Sequence, residues 1–369
     1  MRVLFDARRS VGRVTGIGRI IDGLLHALAK DDRCNQYLVL VGDHDPLAGV
    51  EAENFEVRHV RLPLNSPRTG IPAIARAWRA DVAYFPFWFA PLTMPCPFVV
   101  GIHDLIQLFH PEEFSLAYRA LFRTYVALVV RRARRIHALS AHGKDALQRT
   151  LRVAPQRIDV VSPAVPDSFE DTCAEQEGET AAATIPSAPF ALYVGNHKPH
   201  KNLERLLQAY AGVMDRIGCD LVVAGARSSY NDPHSLPHQR TVQKLGVGAR
   251  VHFAGQVSDA VLRGLYRHAR FFVFPSLYEG FGIPCLEAMR CGTPVACSNT
   301  TSLPEVVGDA ALMFDPLDVS AIGAALLRLD QSLDLRADLA RKGLERCREF
   351  SWPRSAQAWL ASMERAGQA

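Results

Sequence analysis

The sequence predicts two α/β domains, each built on a parallel sheet. Three observations carry that prediction. Short apolar runs alternate with helical-period segments from one end of the chain to the other, which is the pattern of parallel α/β sheets. At 369 residues the chain is long for a single hydrophobic core. The alternation also breaks once, between Pro166 and Pro189, where the chain reads DSFEDTCAEQEGETAAATIPSAP. That segment is acidic, rich in small residues and poor in large apolar ones, so it reads as an exposed linker. The expected division is residues 1–166, a linker over 167–189, and a second domain over 190–350.

In the first half, strands are expected over Val3–Asp6, Tyr37–Val41, Val57–Leu62, Val82–Phe85, Phe98–Ile102, Arg135–Leu139 and Asp159–Val161. A helix expected over Ile17–Ala29 follows the first strand through a glycine-containing loop. The stretch from Glu113 to Arg135 reads as a basic amphipathic helix, with Arg119, Arg123, Arg131, Arg132, Arg134 and Arg135 among Leu116, Tyr118, Leu121, Phe122, Tyr125 and Val126. Such a helix can lie on anionic lipid, its arginines on phosphates and Phe122 and Tyr125 in the interface, or it can pack on the core with a solvated basic face. In the second half, strands are expected over Ala191–Val194, Leu221–Ala224, Val251–Phe253, Phe271–Phe274, Val295–Ala296 and Leu312–Phe314. The final segment, SWPRSAQAWLASMERA, reads as an amphipathic helix with Trp352 and Trp359 near one face.

Bulk composition excludes several classes. A formal charge of +4 is too small to argue for nucleic acid. No apolar run approaches the roughly 18 residues that cross a bilayer. The opening MRVLFDARRS places an Asp and three Arg where a signal peptide needs an apolar core, so a cytoplasmic protein is expected. The eight cysteines show no Cys-x-x-Cys spacing. Cys285, Cys291 and Cys297 fall around buried elements and read as small core hydrophobes.

The most informative segment is FPSLYEGFGIPCLEAMRCGTPV, from Phe274 to Val295. An apolar strand runs into a glycine-bearing turn and then a helix. Gly280 and Gly282 allow a ligand close to the backbone. The helix N-terminus that follows offers N–H groups and partial positive charge to a diphosphate. Glu279 sits in the turn and Glu287 about two turns further on. Glu279 can then face a polyhydroxylated group, and Glu287 can accept hydrogen bonds from a ribose. This is the layout that a nucleotide-sugar site needs.

The interval resembles the Glu-x7-Glu signature of the retaining family-4 glycosyltransferases, which have the GT-B fold. Four further segments match in order: VLFDARRSVGRVTGIGR (Val3 to Arg19), GIHDLIQLFHPEEF (Gly101 to Phe114), YVGNHKPHKNLERLLQAY (Tyr193 to Tyr210) and SNTTSLPEVVGDAALMFDP (Ser298 to Pro316). The resemblance is closest to bacterial members that build surface polysaccharides, often with mannose. It implies two Rossmann-like doubly wound domains facing a cleft, the first on the acceptor side. It also implies that the last helix, residues 351–369, crosses back to the first domain. Lys201 is then expected to clamp the diphosphate, helped by Gly16 and Gly18 from the first domain and by Gly280, Phe281, Gly282 and Ile283. Family members commonly carry an arginine where this chain has His200 or Asn196, so phosphate binding here leans on a group that is charged only near or below pH 6.5. His103 and Glu279 are expected to be catalytic, touching the donor sugar, and Glu287 to hold the ribose. Asp104 and Arg19 are expected on the acceptor side. His110 and His142 have no motif behind them.

The resemblance further implies front-face attack with the leaving phosphate as base, so no protein nucleophile is named. The one Asp-x-Asp, Asp43-His44-Asp45, reads as a GDHDP turn, and metal-independent chemistry is expected. No cofactor is expected beyond the nucleotide-sugar co-substrate, with GDP-mannose as donor and a glycan or polyprenyl-diphosphate-linked acceptor. Peripheral contact with the inner face of the cytoplasmic membrane is also expected. The alternatives are a nucleotide-sugar epimerase of the same fold and a non-catalytic scaffold in a polysaccharide assembly complex. A dinucleotide-dependent oxidoreductase would require a G-x-G-x-x-G directly after a strand, which is lacking.

Overall fold

β1 (Arg2–Asp6), β2 (Gln36–Val41), β3 (Phe55–His59), β4 (Val82–Phe85), β5 (Phe98–Gly101), β6 (Arg135–Ala138) and β7 (Ile158–Val160) form one parallel sheet in the computed structural model. Their order is β3-β2-β1-β4-β5-β6-β7. The structure describes residues 1–10, 16–60, 70–166, 169, 188–225 and 238–368. A second parallel sheet has the order β10-β9-β8-β11-β12-β13. Its strands are β8 (Phe190–Val194), β9 (Asp220–Ala224), β10 (Val251–Gly255), β11 (Phe271–Phe274), β12 (Val295–Ser298) and β13 (Ala311–Phe314). The chain divides into two compact units, Met1–Ala164 with Phe350–Ala369, and Val165–Glu349. The expected linker over 167–189 falls almost wholly outside the described residues, as do residues 11–15.

Both sheets are doubly wound for the same reason. Their central strands, such as FVVG at β5 and FFVF at β11, are buried at every position. Strands that are apolar on both faces need helices on both faces. Each order reverses at its first strand, between β1 and β4 and between β8 and β11. The carboxyl ends of those strands are where an open α/β sheet receives ligands.

The last helix, Trp352–Gly367, packs on the first unit. Trp359 is fully buried among Phe5, Tyr37 and Tyr84. Gly23, in the helix Gly16–Asp31, makes room for Trp352, since a Cβ there would lie 2.2 Å from the indole. A polar anchor completes the docking. Ser362 Oγ donates to Asp159 Oδ2 at 2.5 Å and lies 2.8 Å from His137 Nε2. Arg135 and Arg365 both donate to Asp159. Burial alone would raise the Asp159 carboxyl, but hydrogen bonds from Arg135 and Ser362 hold it down at about 2. Burial pushes His137 down to about 3 and keeps it neutral.

The basic helix spans Leu116–Arg132, capped by Ser115 Oγ on the Tyr118 N–H. Phe122, Val126 and Val129 are fully buried on the core side. Placing Phe122 and Tyr125 at a lipid interface is therefore wrong. Phe122 packs edge-on to Trp88, and the Tyr125 hydroxyl donates to Ala90 O at 2.9 Å. The apolar side chains that do face solvent are Leu116 (77%) and Leu121 (57%), with Phe109 (46%) at the end of the preceding short helix Ile106–Phe109. Among the described residues, no helix is long and apolar enough to cross a membrane.

Candidate functional site

In the second unit, the segments after β8 and β11 meet where the strand order reverses. Asn202 takes a left-handed conformation at φ 60°, which asparagine tolerates better than most residues. Its Nδ2 donates to Pro275 O at 2.9 Å and to Pro316 O at 2.8 Å, joining three loops. Leu277 N donates to His200 O at 2.7 Å. The result places Lys201 Nζ 2.6 Å from Glu279 Oε1, with both side chains largely buried, and 5.4 Å from the Phe274 ring centroid.

The turn that carries Glu279 is held from a segment about twenty residues further on. Glu279 N donates to Thr301 Oγ1 at 3.2 Å. Ser302 Oγ lies 2.9 Å from Glu279 O and 2.8 Å from Phe281 O and shares its proton between them. Thr301 itself is left-handed, at φ 56°. Gly282 has φ 118° and opens the helix Ile283–Arg290; a Cβ there would strike Leu303 at 2.6 Å. Phe281 and Ile283 are buried on either side of it. Glu287 lies inside the helix at 2% exposure, with the Tyr266 hydroxyl 3.1 Å from Oε2. Asn196 is exposed and its Oδ1 accepts from Lys198 N at 3.3 Å. The His200 imidazole is buried at 6% exposure.

Chemically, this arrangement offers a lysine, a carboxylate and a helix N-terminus at one sheet edge. The lysine and the helix N–H groups suit a diphosphate. The carboxylates suit hydroxyl groups. Sequence reading singled out Lys201, Glu279 and Glu287 but missed Asn202, Tyr266, Thr301 and Ser302. The segment SNTTSLPE was visible as a match, yet its hydroxyls bond to main-chain groups near Glu279, which spacing alone does not reveal.

The remaining candidates belong to the first unit. His103 follows β5, and both its ring nitrogens are buried without a hydrogen-bond partner among the described residues. A Cβ at Gly101 would lie 3.0 Å from His103 Nε2, so the glycine admits the ring. Burial lowers the His103 pKa to about 4. Asp104 Oδ1 accepts from Ile106 N at 3.2 Å and starts the short helix Ile106–Phe109. Gly16 is exposed at the first residue of its helix, Gly18 is buried two residues further on, and Arg19 is partly buried. The Asp45 carboxylate caps its own turn by accepting from Leu47 N at 2.9 Å.

The fold and the paired loops define a doubly wound, two-unit α/β protein with a diphosphate-compatible site in its second unit. Comparison with known proteins places it. A model described as "Glycosyltransferase Family 4" matches residues 14–169, and one described as "Glycosyl transferases group 1" matches residues 179–346. The chain belongs to the family-4 glycosyltransferases, and its fold is GT-B. An O-antigen chain mannosyltransferase B of Escherichia coli is 44% identical over 165 residues, covering 44% of this chain and 42% of that one. A serotype-specific mannosyltransferase of Escherichia coli is 30% identical over 285 residues, covering 74% of this chain and 34% of that one. The matched segments thus cover less than half the length of either relative. Sucrose-phosphate synthase from Thermosynechococcus elongatus superposes with a TM-score of 0.79 at 21% identity, covering 99% of this chain and 98% of that one, a likeness of fold.

Proposed function

We propose that the chain is a retaining, metal-independent hexosyltransferase of surface-polysaccharide synthesis, moving mannose from GDP-mannose to a glycan or lipid-linked acceptor. The observation that carries this reading is the Lys201–Glu279 pair beside the N-terminus of the helix Ile283–Arg290. In the free protein the two groups neutralise each other. An arriving diphosphate competes for Lys201 and the helix N–H groups, and the released Glu279 carboxylate turns to the sugar hydroxyls. Glu287 accepts from the ribose. His103, neutral because of its burial, offers one N–H and one lone pair to a sugar hydroxyl and no net charge. The mannose assignment rests on the two mannosyltransferase relatives.

A thermal-shift panel of GDP-, UDP-, dTDP- and ADP-sugars tests the donor, because a ligand at 100 times its dissociation constant adds about 2.7 kcal/mol. GDP-mannose should give the largest shift, and activity should survive excess EDTA. A larger shift with another base would replace the donor. Loss with EDTA that is restored by magnesium would replace the metal-free chemistry.

Peripheral membrane contact belongs to the same proposal, through Phe109, Leu116 and Leu121 with the exposed Arg123, Arg131 and Arg132. Each basic residue near an anionic surface contributes about 1 kcal/mol. Binding to anionic vesicles should be salt-sensitive, absent with neutral vesicles, and lost when Arg119, Arg123, Arg131 and Arg132 become glutamine. No binding by the wild type at low salt would refute it.

A further inference from the structure

A second cluster of polar and aromatic groups lies at the carboxyl edge of the first sheet. Arg9 follows β1, Phe87 follows β4, and Asp104 and Gln107 follow β5, on both sides of the point where that strand order reverses. The Arg9 guanidinium stacks on the Phe87 ring, 4.5 Å from its centroid. Tyr118, 36% exposed, stacks on Phe114 with ring centroids 5.4 Å apart. Gln107 is 9% exposed, and its amide bonds to the Tyr118 hydroxyl. Gln107 Oε1 and Arg9 Nε are both buried with no hydrogen-bond partner among the described residues.

Two unmet groups of opposite kind, an acceptor and a donor, point to one class of ligand. Leaving either unpaired costs about 1–3 kcal/mol. A hydroxyl group both donates and accepts, so a polyol satisfies both. A phosphate dianion has no hydrogen to give Gln107 Oε1. Arg9 and Asp104, one charge of each sign, both act on the Tyr118 hydroxyl, so Arg9 does not stand there as an isolated positive charge. Aromatic faces at Phe87, Phe114 and Tyr118 suit the C–H face of a sugar ring.

We infer that Arg9, Phe87, Gln107 and Tyr118 form a seat for the neutral terminal sugar of the acceptor glycan. This rests on the glycosyltransferase reading above, but its test is separate. The full chain is titrated with free mannotriose, with inorganic phosphate and with GDP, in the absence of donor. Mannotriose should bind wild type, and Gln107→Leu and the surface variant Tyr118→Ala should each weaken it at least tenfold while GDP affinity stays within twofold. Phosphate should not displace mannotriose. No mannotriose binding by wild type, equal mannotriose affinity in both variants, or displacement by phosphate would overturn the seat. Parallel loss of GDP affinity in the exposed Tyr118→Ala variant would overturn it too, by showing a general structural effect. Failure of GDP-mannose to bind wild type while mannotriose binds would sink the donor reading and leave the seat standing.

Discussion

Removing one member of the Lys201–Glu279 pair separates its structural from its functional contribution. The partners are 2.6 Å apart and only 16% and 13% exposed. Lys201→Met leaves a largely buried carboxylate without its cation. Fully buried pairs lose about 3–5 kcal/mol on such a change, and with this residual exposure a loss of about 1–3 kcal/mol is expected. For a unit of this size each kcal/mol moves the melting point by about 2–4 °C. Adding Glu279→Gln removes the orphaned charge and should recover most of that stability. Ligand affinity should not recover, because a charge-assisted bond to the diphosphate, worth about 1.5–3 kcal/mol or roughly 10- to 150-fold, is still missing. Denaturant unfolding gives the first quantity. Calorimetric titration with GDP and GMP gives the second, with GDP losing more than GMP. A double variant that regains GDP affinity along with stability would refute the reasoning, as would equal losses for GDP and GMP.

Ser302→Ala should destabilise by about 1–3 kcal/mol, since the carbonyls of Glu279 and Phe281 lose their shared donor; donor KM should rise, and unchanged unfolding and KM would contradict the pinning. Glu287→Ala should weaken GDP and GDP-mannose alike, whereas Glu279→Ala should lower turnover with little effect on GDP binding; the reverse pattern would swap their roles. Stability should fall as pH drops below about 6.5. The unfolded chain then takes up a proton that buried His137 refuses until about pH 3, at about 1.4 kcal/mol per pH unit, while stability above pH 6.5 keeps the full contribution. His103, lowered to about 4, adds to the same trend. Denaturant unfolding at pH 7 and pH 5 checks this, and His137→Gln, which keeps a partner for Ser362, should shallow the slope.

The sheets were legible because their strands are buried on both faces and read as unbroken apolar runs. β3 was less so. It lies at the sheet edge, is only partly buried, and begins at Phe55, two residues before the expected start. The Glu279–Glu287 interval was legible because glycines, a Pro at the helix start and two carboxylates fall within one short segment. Of the two readings of the basic helix, the one that put Phe122 and Tyr125 in lipid failed because the arginines interrupt two apolar faces. Phe122, Val126 and Val129 recur at helical spacing and point inward, while Leu116 and Leu121 lie on the outer side. Composition could not separate these faces. Ser302 and Asn202 were not legible because their partners are main-chain carbonyls of distant loops, a fact of tertiary structure.

The central claim is transfer of a hexose from a nucleoside diphosphate to an acceptor. Mass spectrometry of a reaction containing GDP-mannose and a mannosyl oligosaccharide tests it most directly. The expected result is one added hexose on the oligosaccharide for each GDP released by wild type, with none from Lys201→Met. An unchanged oligosaccharide, with GDP-mannose and the other nucleotide sugars either untouched or rearranged in place, would contradict it.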